Sequence, residues 1–268
     1  MLFEWDYRPR GYNLLNTLTR RVETYHEKLL QAVEANPSSG GSASIHELVL
    51  TKEKGLDQKL HYDRWPRTAL LDHFPGWNSI IEEFGNSRLA DYGTFLRSPY
   101  QIEEMYTDGV KLVCRGHVGE TALELSKAVR VVPGKSVLSI QYRIVNVSQF
   151  KLDSPFGVEW NLALKAGNSP QHHISIPETG DWNRPLGEIG DHRNVQEIRL
   201  ADEHEGVAVR FSFDGTTRVW RVPIESVSLS EGGFERVFQS IALMFLWELH
   251  LAPGQVWERR ITAELSQA

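Results

Sequence analysis

Acidic residues are the first candidates for chemistry, because two carboxyl groups held about 5 Å apart can act as a nucleophile and a general acid. Two tandem glutamate pairs occur, Glu82–Glu83 and Glu103–Glu104. Neighbouring side chains point to opposite faces of a strand and diverge by about 100° around a helix, so neither pair forms a natural dyad. Both pairs are interpreted as solvated surface.

A polar row on one predicted strand is the first candidate for sugar binding. Glu159 and Asn161 alternate with apolar residues, which places both side chains on one face of the strand. On an open sheet face the two can hydrogen-bond sugar hydroxyls. His172 is a further candidate for sugar binding, and His172 and His173, in the string QHHISIP, are candidates for an acid–base pairing with Glu159.

Tryptophans divide into two groups. Trp65 and Trp77 lie outside the alternating rows and are candidates for stacking on a glucan, because aromatic faces suit sugar rings. Trp160, Trp247 and Trp257 fall in such rows and are expected in the core.

Charged residues near the N-terminus are expected to hold that region in place. Arg64 and Arg67 can pair with Asp63 and Asp72 and fix their segment against a sandwich or a further domain. The residues expected at this interface are Arg20, Arg21, Asp63, Arg64 and Asp72.

Cofactor signals are weak. No Ser/His/Asp or Cys/His motif, Gly-rich phosphate loop or zinc-ligand spacing occurs, so neither a metal site nor a cofactor is expected. Loop carboxylates such as Asp153 and Asp181 leave a structural calcium ion open without specifying one. The single cysteine, Cys114, excludes an internal disulfide and is expected to be an inert buried thiol.

Composition limits the classes of partner and the cellular compartment that are expected. The 268 residues carry a formal net charge of -6, which argues against nucleic acid as the main partner. The sequence contains no run of eighteen apolar residues, so no membrane span is predicted. The N-terminus lacks the basic-then-apolar layout of a signal peptide. With one cysteine, the reducing cytoplasm is the expected compartment.

Alternating apolar residues dominate after Asp91, in rows over 110–118, 138–144, 158–164, 207–213 and 243–251. Each row predicts a strand with one buried face. Turn signals separate the rows, at Pro133–Gly134, Asp214–Gly215, Gly232–Gly233 and Pro253–Gly254. The pattern predicts an antiparallel β-sandwich domain over residues 91–268.

Residues 1–90 differ in character and are predicted to be an irregular, partly helical segment packed on the sandwich. A short strand is expected over 2–7, and a Gly/Ser-rich loop over 36–42. A helix is expected over 19–35, with Val22, Leu29, Leu30 and Val33 as its buried stripe. A second helical stretch is expected over 54–74, divided by Pro66.

Three long strings carry a family resemblance. They are WDYRPRGYNLLNTLTRRVETYHEKL at 5–29, HYDRWPRTALLDHF at 61–74 and PIESVSLSEGGFERVFQSIALMFLWELHLAPGQ at 223–255. Their order and spacing resemble the region that follows the catalytic barrel in glycoside hydrolase family 57 enzymes of the 4-α-glucanotransferase/α-amylase type.

The resemblance implies a fold and separate roles for two domains. In that family a (β/α)7 barrel carries the nucleophile and the general acid, and a galactose mutarotase-like β-sandwich packs against it. The barrel motifs have no counterpart here, so no catalytic residue is carried over. The expected function is an accessory domain, inactive alone, that supports a catalytic barrel in cis or on a separate chain and is able to contact an α-glucan or maltooligosaccharide.

Two alternatives stay open. The aromatic content and the predicted sandwich also suit a stand-alone carbohydrate-binding module. The combination of Glu159 with His172 or His173 suits an aldose-epimerase-like enzyme.

Overall fold

The computed structural model describes residues 1–35, 52–164 and 169–268. Strands dominate these ranges, and none of the helices there is long and apolar enough to cross a bilayer. The elements are β1 (Asp6–Tyr7), β2 (Tyr12–Asn13), α1 (Thr24–Ala35), β3 (Leu71–His73), α2 (Ile81–Gly85), β4 (Gln101–Tyr106), β5 (Gly109–Val118), β6 (Thr121–Val131), β7 (Val137–Asn146), β8 (Leu152–Leu162), β9 (His172–Ile176), β10 (Asp181–Pro185), β11 (Gly190–Asp202), β12 (Val207–Ser230), β13 (Gly233–Leu251) and β14 (Val256–Ser266).

The alternating rows form strands, as predicted. In β7 every second side chain is buried, so one face of the strand points into the core. Turns follow at Pro133–Gly134 and Pro253–Gly254, as predicted, whereas the turn predicted at Gly232–Gly233 lies one residue earlier, at Glu231–Gly232. Cys114 is buried, and burial raises the pKa of its thiol.

Twelve strands in the described part of the chain form one continuous antiparallel sheet. The order is β10-β9-β11-β12-β14-β7-β6-β5-β4, and a branch runs from β12 through β13 and β8 to β3. The sheet folds back on itself, since rings from strands that are not hydrogen-bonded neighbours meet in the core. Tyr142 of β7 lies 5.7 Å from Phe156 of β8, and Trp247 of β13 lies 5.5 Å from Trp257 of β14. The predicted mainly β, antiparallel sandwich is confirmed.

Strand β12 joins the two layers of the sandwich. Residues 208–213 pair with β14, whereas residues 218–230 pair with β13. The predicted turn at Asp214–Gly215 is wrong, because these two residues lie inside β12 where its register with β11 shifts. A glycine in a strand commonly marks such a bulge, which bends the strand without ending it.

The N-terminal helix is shorter than predicted. Helix α1 begins at Thr24, not at residue 19, and Val22 lies before it with 68% of its surface exposed. Leu29 is buried as expected, but Leu30 is exposed, so the predicted stripe is wrong for Val22 and Leu30. The side chain of Val33 and the predicted loop over 36–42 lie outside the described residues.

The predicted second helix is wrong. A single 3₁₀ turn, Asp57–Lys59, is followed by extended chain that ends in β3. Strand β3 pairs with β8, and Leu2 near the N-terminus forms a β-bridge with Ala69. The first ninety residues therefore contribute a strand to the main sheet, and a domain boundary at residue 90 stays a prediction.

Strand β3 is fixed to the opposite layer by a buried ion pair. The Lys127 ammonium of β6 lies 2.5 Å from the Asp72 carboxylate, and both side chains are 1% exposed. The hydroxyls of Tyr100 and Tyr142 also donate to Asp72, at 2.5 and 2.8 Å. The predicted pairing of Asp72 with the arginines at 64 and 67 is therefore wrong, because Asp72 points into the sandwich.

Breaking this pair should be costly. Lys127→Met should lower the free energy of unfolding by about 3–5 kcal/mol, because it leaves a buried carboxylate without its counter-charge. The control Lys111→Met removes an exposed partner of Glu103 and should cost at most about 1 kcal/mol. Urea titration followed by fluorescence measures both, and equal losses would contradict the assignment.

Candidate functional site

Glu159 and Asn161 lie on one face of β8, as the alternation predicts, but this face is covered. Glu159 is 7% exposed and Asn161 is fully buried, so the expectation of an open polar face is wrong. The covering residues belong to the segment that precedes and follows β3. Sugar binding by Glu159 and Asn161 stays a prediction that would require this segment to move.

Three side chains bind the Glu159 carboxylate. His73 approaches one oxygen with its Nε2 at 2.8 Å, while the Asn161 amide donates to the other at 2.7 Å. The guanidinium of Arg67 lies 3.5 Å from this second oxygen and donates to Asn161 Oδ1 at 3.2 Å. Burial alone would raise the pKa of Glu159, but the hydrogen bond and charge of His73, together with Arg67, outweigh it and lower the pKa.

The His73 imidazole also contacts a second carboxylate. Its Nδ1 lies 3.1 Å from Asp91. Burial alone would lower the pKa of His73, but the hydrogen bonds to Asp91 and Glu159 and their charges raise it to about 9. At neutral pH the ring is therefore an imidazolium that donates from both nitrogens.

Asp63 binds two arginines, Arg67 and Arg20. Its Oδ1 accepts from Arg67 at 2.6 Å and from Arg20 at 2.7 Å, and its Oδ2 accepts from the Arg20 backbone amide. Burial opposes ionisation here too, but the hydrogen bond to Arg20 and the charge of Arg67 lower the pKa of Asp63. Three cations and three anions thus alternate in a charge network of Arg20, Asp63, Arg67, Glu159, His73 and Asp91.

Two members of the network come from one short stretch of chain. Arg67 and His73 are six positions apart, about 20 Å in an extended chain, yet both reach Glu159. Leu70 lies between them with φ of 61°, in the left-handed region that branched and bulky side chains rarely adopt. This residue interrupts the extended course of the chain between the two side chains that contact Glu159.

The space next to the network is small. A cavity of about 50 Å³ is lined by Glu159, His73 and Arg67 inside and by Trp65 and Arg64 toward its mouth. Such a volume holds a few water molecules. The Glu159 and Asp91 carboxylates and the His73 imidazole therefore bind one another, and the cavity beside them has space only for water.

The predicted acid–base pair of Glu159 with His172 or His173 is wrong, because the histidine that contacts Glu159 is His73. His172 is buried on β9 with its Nε2 3.0 Å from Asp202. His73 was missed because it lies 86 residues from Glu159 in the sequence. Its only local signal is its position in the family-like string HYDRWPRTALLDHF.

The predicted interface residues separate into two groups. Arg20, Asp63 and Asp72 are buried contacts within this chain, whereas Arg21 and Arg64 are exposed. Asp63 does pair with Arg67, as predicted, while the expected pairing of Arg64 with the acids is not observed among the described contacts.

The two predicted stacking tryptophans occupy different settings. Trp65 is half-buried, and the guanidinium of Arg97 lies 5.7 Å from its ring centre. Trp77 is 48% exposed in the loop after β3. Within the described ranges, no group of three or more His, Cys, Asp or Glu side chains could hold a metal ion.

The architecture is that of a mainly β supersandwich whose sheet face is closed by its own N-terminal segment. The family model described as "Alpha-amylase/4-alpha-glucanotransferase, C-terminal" matches residues 1–261. The chain therefore belongs to the C-terminal domain family of α-amylases and 4-α-glucanotransferases, as the sequence resemblance predicts.

Relatives with this domain are longer than the chain. Alpha-amylase 1 of Dictyoglomus thermophilum is 31% identical over 264 residues, which are 97% of this chain and 36% of the relative. The 4-alpha-glucanotransferase of Thermococcus litoralis is 26% identical, over 92% of this chain and 34% of the relative. The chain spans about a third of the length of these curated relatives.

Solved structures agree on the fold. The crystal structure of 4-alpha-glucanotransferase from Thermococcus litoralis matches 98% of this chain and 34% of that chain, with a TM-score of 0.74 and 22% identity. A candidate aldose 1-epimerase from Escherichia coli K12 matches 68% of this chain and 73% of that chain, with a TM-score of 0.51 and 14% identity. At these identities the likeness shows the fold alone.

The charge network should make stability depend on pH. The pKa of His73 is raised from 6.5 to about 9, so its contribution is complete below pH 6.5 and is lost as the pH rises through 9. The difference in unfolding free energy between the wild type and His73→Gln should shrink over this window, by on the order of 3 kcal/mol. Denaturant titrations at pH 6, 7.5 and 9 measure it.

Comparison with a variant cancels the other groups that titrate in the same range. His204→Gln, at a side chain that is 71% exposed, serves as the matched control and should follow the wild type at each pH. If the wild type and His73→Gln differ by the same amount at all three pH values, His73 is not the titrating group.

Proposed function

We propose that this chain is the accessory C-terminal domain of an α-glucan-acting enzyme of the α-amylase/4-α-glucanotransferase type. It supports a catalytic barrel domain, in cis or on a separate chain, and contacts α-glucan. The observation that carries the proposal is the match to the C-terminal family over residues 1–261, in relatives that are about three times as long.

The charge network supports a non-catalytic role. A general acid in a glycosidase needs a raised pKa and access to the glycosidic oxygen. The pKa values of Glu159 and Asp63 are lowered instead, and each carboxylate binds a cationic side chain. The groups that resemble acid–base machinery thus act as buried clamps between the N-terminal segment and the sheet.

The exposed members of the predicted interface are proposed to meet the catalytic domain. Arg21 follows Arg20, which is bound to Asp63, and Arg64 follows Asp63 itself. Both exposed guanidinium groups therefore project from backbone that the charge network holds rigidly. An arginine fixed in this way suits a carboxylate on a partner surface, because little of its freedom is lost on binding.

The stand-alone binding module is the second candidate. The half-exposed ring of Trp77 beside a surface cleft favours it. The epimerase alternative receives no such support, because Glu159 and His73 border a cavity with space for a few waters.

The isolated chain should be catalytically silent. Incubated with maltoheptaose, it should produce neither shorter nor longer oligosaccharides, because no catalytic carboxylate is carried over. Product chromatography over a day measures this, with the 31% identical α-amylase as the positive control. Formation of products above the buffer blank would contradict the proposal.

A domain graft distinguishes between the two candidate functions, an accessory domain and a stand-alone binding module. The matching third of the Dictyoglomus relative is replaced by this chain, and amylase activity is compared with that of the same relative truncated before this region. An accessory domain should restore activity and thermal stability, whereas a pure binding module should restore neither.

Charge reversal in the graft then tests the interface. The double variant Arg21→Glu/Arg64→Glu should lower the melting temperature of the graft. The control Arg143→Glu, at a 41% exposed side chain on β7, only places two carboxylates opposite each other on the sheet surface and should lower it by less. Equal effects would remove Arg21 and Arg64 from the interface.

A further inference from the structure

A surface cleft lies beside the loop that follows β3. Its volume is about 560 Å³, within the range of about 300–1,000 Å³ that is usual for ligand sites. The loop Pro75–Ser79 forms one wall, Ala90 and Tyr92 form a second, and the first residues of β8 form a third. Residues Val118 and Gly119, at the end of β5, close it.

Two exposed aromatic rings line this cleft. Trp77 is 48% and Tyr92 is 62% exposed. Single exposed apolar residues are ordinary, so exposure by itself indicates nothing. Here, however, the two rings border the same concave surface, an arrangement that suits the stacking of successive pyranose rings.

The ring of Trp77 is held in place. It stacks on the imidazole of His250 with ring centres 5.8 Å apart and planes inclined by 13°. His250 is in turn 3.1 Å from the carboxylate of Asp153. The indole is thus in offset contact with a neighbouring ring, and its exposed half is available to a ligand.

Tyr92 lies against the loop that carries Trp77. A Cβ atom placed on Gly76 would lie 3.0 Å from the Tyr92 ring, so a glycine at this position permits the close approach. The backbone amide of Tyr92 also donates to the Phe74 carbonyl at 2.9 Å. The two aromatic residues are therefore positioned relative to each other by packing and by the backbone.

The charge network supports the walls of the cleft. Asp91, bound to His73, also accepts from the backbone amides of Phe74 and Gly93 at 3.2 and 2.8 Å. These residues flank the two wall segments, so the walls are tied to β8 before a ligand arrives. Preorganisation of this kind lowers the entropic cost of binding.

Polar groups are available for sugar hydroxyls. Asn78, Ser79, Glu83 and Asp153 line the cleft, and amide and carboxylate groups both accept hydroxyl protons. A smaller cavity of about 60 Å³ shares Pro75, Gly76, Trp77, Ser79 and Pro155 with the cleft and is also lined by Trp220 and Trp247.

Trp220 and Trp247 line only the smaller cavity. Their indole N–H groups are buried without a hydrogen-bond partner in the described part of the chain. The polar groups that face the cleft are therefore those of its open walls.

We infer that this cleft binds a short α-1,4-linked glucose oligomer, with Trp77 and Tyr92 as stacking platforms and Asn78 and Asp153 as hydroxyl partners. The choice of α-glucan over other sugars rests on the proposed function, whereas the location rests on the cleft itself. The site holds the polymer and performs no chemistry.

Affinity electrophoresis of the whole chain in native gels containing amylose tests the site. Trp77→Ala should weaken the apparent affinity at least about tenfold, since a tryptophan that the ligand covers commonly dominates binding. Trp77→Phe should retain most of the affinity because it keeps an aromatic face. Trp182→Ala is the matched control, since Trp182 is 64% exposed and does not line the cleft.

Each outcome decides one part of the inference. If the wild type and Trp77→Ala are retarded alike, the location is wrong, while the contact with α-glucan in the proposed function stands. If the wild type migrates in amylose as in a plain gel, both the site and that contact fail. Equal retardation in hydroxyethyl cellulose, a β-linked glucan, would overturn the assignment to α-glucan.

Discussion

The carboxylate of Glu159 is the constraint on which the N-terminal third of the molecule depends. It lies on β8 between β3 and β13 and is 7% exposed. A buried carboxylate is tolerated only when it is paired and hydrogen-bonded. Arg67 and His73 provide the pairing, and both belong to a segment that must be extended and bent to reach it.

This requirement explains why no helix forms over 54–74. Around an α-helix, Arg67 and His73 would be separated by about 240° and could not converge on one carboxylate. Pro66 also disfavours the helix, since it removes a backbone donor. The local pattern over 54–74 is compatible with a helix, but the contacts of the charge network require an extended chain. The string HYDRWPRTALLDHF at 61–74 therefore covers the sheet.

The strands could be predicted well because burial of one face of a strand makes apolar residues recur at every second position. The row of β7 is a direct example, with Ile140 in the core. The prediction failed where tertiary contacts decide. Nothing local distinguishes the covered face of Glu159 from an open one, since its partner Arg67 lies 92 residues away in the sequence. Gly215 gave a turn signal that a bulge within β12 satisfies equally well.

The pairing of β8 with β13 has a consequence for the order in which the protein forms. The surface that receives Arg67 and His73 is complete only when β13, near the end of the chain, has joined β8. Chains are synthesised from the N-terminus, so the covering segment exists long before its docking surface does. Its arginines, its histidine and its acids stay hydrated until then. The segment with Arg67 and His73 can therefore be placed only after β8 has been made, and the cleft beside Trp77, which is lined by the first residues of β8, forms no earlier.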